Sequence, residues 1–217
     1  MPRANRWEAI VQASAEEFRE RGFEAATLDS IAARVGLTKG SLYHYIDTKQ
    51  DLLFAVIELP AHQLLERVEE LVARDGSAAV RLRELIHLQV DIFERSYPAP
   101  FVYLQNLGRP DHPAQFRDRD HRYVQVIARL IEDGIARGEF SVAAPPRVAA
   151  WILLGALGWM QHWYEPGGDM SADEIADHLF VVTVGGLMAA GQMSALLGDQ
   201  PPLHIDPAYT DGPELVT

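Results

Sequence analysis

The chain has 217 residues, 48% of them hydrophobic, enough for one large domain or for a small one joined to a medium one, with a buried core. It contains no cysteine, which excludes disulfides, thiolate metal sites and cysteine nucleophiles. A net charge of -12 would argue against a nucleic-acid partner, but residues 1–50 balance seven Lys/Arg against seven Asp/Glu, so the acidity lies in the rest of the chain.

The first residues carry charge every few positions and predict no signal peptide. Trp7, Ile10, Val11, Ala15 and Phe18 recur at helical spacing, and Gly22 stands where that helix should stop. Thr27 precedes a two-turn stretch over 28–35 that Gly36 ends; Ser30 occupies the position where a capping box prefers Glu, so the cap signal is partial. Thr38 can cap a second short helix over 39–45, and Asp47 or Thr48 opens a long one from Lys49 to about Arg74.

Further helices are predicted over 78–96, just after Pro98-Ala99-Pro100, and over 114–137, 146–163 and 172–197. Gly108-Arg109-Pro110, Gly138, Pro145-Pro146 and the run from Glu165 to Asp169 punctuate them. No run of alternating β-branched residues interrupts the pattern, so the fold class is all-α. The greasiest stretches, 148–160 and 179–191, are shorter than the roughly 20 apolar residues of a membrane span; a cytoplasmic protein with no membrane partner is expected. Residues 199–217, with Pro201, Pro202, Pro207 and Pro213, predict a disordered tail.

Two short helices joined by Val35-Gly36-Leu37-Thr38 have the spacing of a helix-turn-helix, with Gly36 permitting the sharp turn. The second helix would enter a major groove. Lys39 and Ser41 can hydrogen-bond base edges, Gly40 lets the backbone come close, and His44 lies on a neighbouring face. Thr27, Tyr43, Tyr45 and Lys49 are of the types that bind phosphate oxygens, and the capping Thr38 is counted with this DNA-binding set.

The stretch from Phe23 to Ala32, then Val35 to Ile46, then Lys49-Gln50-Asp51-Leu52-Leu53, closely resembles the DNA-binding head of the TetR family, nearly gap-free from Arg6 to Leu53. Ile46 where the family often has Phe, and Asp47-Thr48 in place of a Pro-Ser pair, are mild departures. The resemblance implies an N-terminal three-helix head over 1–53 and a C-terminal effector-binding and dimerisation domain over 54–198, nine to ten helices in all. It also implies a homodimer through the last two helices, palindromic operators, release by a small hydrophobic effector, and repression as the default.

In the body, Gly155, Gly158, Gly185, Gly186, Ala189, Ala190 and Gly191 would let two late helices approach partners closely, in a dimer or within one chain. Trp151, Trp159, Trp163 and Tyr164 suit an apolar pocket, and equally a core or a dimer seam. The run from Trp163 to Gly168, followed by Met170 to Asp177, resembles the C-terminal region of TetR regulators of fatty-acid and steroid breakdown, several of which respond to acyl-CoA thioesters. Effector contacts are therefore expected at Phe101, Tyr103, Arg109, Arg122, Trp159 and Trp163. The arginines near 109–122 could accept a CoA thioester's negative charge, or simply pair with Asp111, Asp118 and Asp120.

His87 with Asp91, and His121 with Asp118 and Asp120, lack a third ligand at recognisable spacing, so no metal is expected. Nor is there a nucleophile elbow, a phosphate-cradling loop or a dinucleotide fingerprint; neither an enzyme nor a cofactor is implied. The alternative to an operator-binding regulator is a helix-turn-helix adaptor that binds protein.

Overall fold

The computed structural model describes residues 3–106, 114–141 and 144–188. Among these, nine α-helices and one 3-10 turn account for the regular structure, and there is no strand. Arg109 and the expected tail lie outside the described residues.

α1 spans Arg3–Ala25, but Gly22, with φ 75° and ψ 159°, breaks its helical path where the stop was expected, and one further turn follows. Only a glycine takes that left-handed φ without strain. α2 (Leu28–Arg34) begins at Thr27, whose hydroxyl accepts from the Ser30 amide at 3.1 Å while the Ser30 hydroxyl accepts from the Thr27 amide at 3.3 Å. The cap that looked partial is a complete capping box, because the shorter hydroxyl reaches as a Glu would.

α2 ends in a Schellman turn. Gly36 sits at φ 67°, its amide bonds Ala33 O at 3.2 Å, and the Leu37 amide reaches back to Ala32 O at 2.9 Å. α3 (Lys39–Leu42) is shorter than the expected 39–45, since its end tightens: His44 and Tyr45 bond carbonyls three residues back rather than four. α4 (Lys49–Val72) is opened by Asp51, whose carboxylate accepts from the amides of Asp47 and Thr48, and it contains Pro60.

α5 (Ala78–Arg95), α6 (Ala99–Asn106), α7 (Ala114–Ala136), α8 (Pro146–Gly158) and α9 (Ala172–Met188) complete the order. The expected helix over 146–163 stops at Gly158 and continues as a 3-10 turn, Trp159–His162.

The chain forms two compact units: residues 1–64 with 92–108, and residues 65–91 with 109–217. The first holds the helix-turn-helix head together with α6. Its core is Ile10, Phe18, Ile31, Leu42, Leu52 and Leu53 with their neighbours, and α1 packs on both α2 and α6. Arg19 of α1 lays its guanidinium over the rings of Tyr97 and Phe101, at 4.6 and 5.3 Å from their centroids. In the second unit α7 packs on α8 and α8 on α9, around Leu82, Leu85, Ile127, Leu130, Ala150 and Leu153.

Candidate nucleic-acid interface

The helix-turn-helix is braced from behind by α1. Glu17, only 1% exposed, receives the Ser30 hydroxyl at 2.6 Å and Arg34 Nε at 2.9 Å, and Arg21 Nε lies 3.1 Å away. Burial alone would push this carboxyl up. The hydrogen bonds from Ser30 and Arg34 and the charges of Arg21 and Arg34 outweigh it and hold the group below the ordinary carboxylate range. Arg34 also pairs with Glu20, and Arg6 Nη1 donates to Val35 O at 3.1 Å, so the C-terminal end of α2 is tied down as Ser30 ties its first turn to Glu17.

That bracing leaves the outer side of α3 open. Thr38, Lys39, Gly40, Tyr43 and His44 are exposed and Ser41 is half-buried, while Leu42 and Ile46 face the core. Thr38 Oγ1 accepts from the Ser41 amide at 3.2 Å and lies 3.0 Å from Ser41 Oγ. At Gly40 a methyl group would meet nothing nearer than Thr38 Oγ1, at 3.9 Å. Nothing inside the chain requires a glycine there, which leaves room for a partner to come against the backbone.

Two of the expected contacts also have partners within the chain. Tyr45 is half-buried and stacks on Trp7, with centroids 6.5 Å apart and planes 10° from parallel, so its ring holds the turn after α3 to α1. Lys49, expected at a phosphate, is bonded within the chain. Its ammonium donates to the carbonyls of Phe23, Glu24 and Ala26 at 2.6, 3.2 and 3.0 Å and lies 4.4 Å from the Phe23 ring centroid. Three protons thus meet three carbonyls at the end of α1, where the helix leaves its last acceptors unfilled. Thr27 is likewise occupied with the α2 cap, although it stays exposed.

The effector candidates do not gather in one unit. Phe101, 3% exposed, and the half-buried Tyr103 belong to the first unit, where Phe93 and Tyr97 pack on Phe101. Arg122 belongs to the second, and its Nη2 donates to Glu69 at 2.9 Å. Trp159 and Trp163, expected to line a pocket, face outward, the former stacking on His162. The buried aromatic of that run is Tyr164, with Met160 beside it in sequence.

The outward side of α8 and α9 carries exposed apolar residues. Ile152, Gly155 and Trp159 share one helical stripe, and Val181, Val182 and Gly185 another. Ile152 is 63% and Val182 74% exposed, and neither Gly155 nor Gly185 has an atom within 4 Å of where a methyl would stand. His87, read with Asp91 as a weak metal pair, instead bonds Asp177 at 2.8 Å and Asp173 at 3.3 Å, tying α5 to α9.

A braced helix-turn-helix with an open second helix defines a DNA-binding regulator in its class. Comparison with known proteins gives the family. Residues 10–56 match the family described as "Bacterial regulatory proteins, tetR family", and residues 75–187 match "Tetracyclin repressor-like, C-terminal domain". The chain belongs to the TetR family of bacterial regulatory proteins.

It is 24% identical over 189 residues to the HTH-type transcriptional repressor KstR2 of Mycolicibacterium smegmatis, covering 85% of this chain and 91% of that one. The ketosteroid transcriptional regulator KstR2 of Mycobacterium tuberculosis shares the fold with a TM-score of 0.78 at 22% identity, over 87% of this chain and 97% of that one. AibR in complex with isovaleryl coenzyme A and operator DNA is similar with a TM-score of 0.72 and 26% identity, over 82% and 97%. None of the described helices is long and apolar enough to cross a membrane.

Proposed function

We propose that the chain binds a palindromic operator as a homodimer and is released by a small hydrophobic effector of the acyl-CoA thioester class. The observation that carries the operator reading is the open outer side of α3, with Lys39, Gly40 and Ser41 presented over a turn whose every cap is satisfied. Lys39 and Ser41 meet base edges there. Thr38, Tyr43 and His44 stand beside them, and the hydroxyls of Thr27 and Tyr45 face the phosphates.

Dimerisation is assigned to the stripes on α8 and α9, where exposed Ile152, Val181 and Val182 sit with glycines that no contact in the chain requires. Trp159 and Trp163 belong to this face rather than to effector contact. Likeness to AibR, seen with isovaleryl coenzyme A, supports the thioester class. Phe101 and Tyr103 of α6 and the arginines at 109 and 122 stay in the effector set; Arg122 must leave Glu69 to meet an anion. Release requires the effector to favour a geometry that DNA does not.

The test is a fluorescence-polarisation titration against the DNA upstream of the chain's own coding region, at two salt concentrations, with and without a panel of acyl-CoA thioesters. Sequence-specific binding reversed by a thioester supports the whole reading. Specific binding untouched by every thioester overturns the effector class, and no specific binding under any condition overturns the operator.

A further inference from the structure

The first 50 residues are neutral overall, so where their acids stand governs how the helix-turn-helix meets a polyanion. Glu16, Glu17 and Glu20 all lie on α1 and are drawn to Arg34, behind the motif. Asp29 is placed otherwise. Exposed in the first turn of α2, it holds its Oδ2 3.3 Å from Nζ of Lys39, the cation that α3 carries at its first position. An exposed ion pair of this kind adds little to folding, so its consequence lies in what Lys39 can reach.

We propose that Asp29 is a specificity-determining residue, which aims the Lys39 ammonium toward base edges and offsets its attraction for phosphate. This rests on the reading of α3 as the operator-contacting helix. One ammonium proton turned to the carboxylate leaves two for acceptors on a base, in a fixed direction. On DNA of any other sequence the same carboxylate repels the backbone and weakens the salt-bridge-like attraction that supplies non-specific affinity. Specificity is the difference between the two: the repulsion acts on both duplexes, and on the operator the hydrogen bonds of the aimed ammonium offset it.

The experiment compares wild type, Asp29→Asn, Lys39→Ala and the double variant on an operator fragment and a random duplex of equal length, at two salt concentrations. Asn keeps the shape at an exposed site, and Asp29→Ser is a second neutral variant should the first melt early. Asp29→Asn is expected to tighten random DNA about threefold to tenfold and to leave the operator within about twofold, so that preference falls. With Lys39→Ala already in place, Asp29→Asn should leave the preference unchanged. Equal tightening on both duplexes, no change on either, or a fall in preference that persists without Lys39 overturns the role of Asp29 alone. A wild type with no preference for any upstream fragment removes the operator reading and this proposal with it.

Discussion

Lys49→Met separates a structural lysine from a phosphate clamp. The substitution keeps a long apolar stem on Phe23 and removes the three donors that reach Phe23, Glu24 and Ala26 at 2.6, 3.2 and 3.0 Å. Each such bond contributes on the order of 1 kcal/mol net, more for a charged donor. The Glu24 contact is exposed, and its carbonyl can turn to water. A loss of about 2 kcal/mol therefore follows, with the favourable cation at a helix C-terminus included. For a chain of this size that lowers the melting temperature by roughly 4–8 °C, read by circular dichroism at 222 nm. The dependence of DNA affinity on salt should stay the same, because no phosphate contact is removed. An unchanged melting temperature together with a salt slope reduced by about 0.9 would refute the reasoning and restore Lys49 as a phosphate contact.

Three other outcomes are expected. Glu17 titrates below its ordinary range when folded, so its contribution is full above the unfolded carboxyl value and is lost as pH falls through the folded one. Glu17→Gln should accordingly melt well below wild type at pH 7, with the gap closing as pH falls below the ordinary carboxylate range; a gap independent of pH would show that charge is not what Glu17 supplies. Val182→Asp, at a position 74% exposed, should leave the protomer folded and shift light scattering from dimer to monomer, while an intact dimer would move the pairing face elsewhere. Gly36→Ala forces a Cβ into φ 67° and should cost about 1 kcal/mol, seen as an earlier melt and weaker operator binding; an unaltered melt would remove the strain argument for that turn.

Much of the fold was legible because its signals are local. Apolar spacing drew the helices, Thr27 and Thr38 announced their caps, and Gly36 announced the turn, all through contacts no more than about one helical turn away. The same local pattern over 6–53 carried the family resemblance, and the family match over 10–56 agrees with it. Even there, hydroxyl chemistry outran the rule: Ser30 completes a capping box in which Glu was the expected partner.

What only the tertiary structure decided are the partners that lie far apart in the chain. Lys49 meets carbonyls 23 to 26 residues earlier, and Arg34 meets Glu17 at a separation of 17, so neither could be read from spacing. Burial is equally non-local: Tyr164 faces inward while Trp159 and Trp163 face outward, because a 3-10 turn replaces the expected α-helix after Gly158 and changes which sides its residues share. The sequence by itself thus determined the helices, their caps and the motif they form. The packing of helices distant in sequence decided how the cations, acids and aromatics are presented to DNA or a partner, since the contacts a charge or ring already makes within the chain set its direction and what must be given up to meet a ligand.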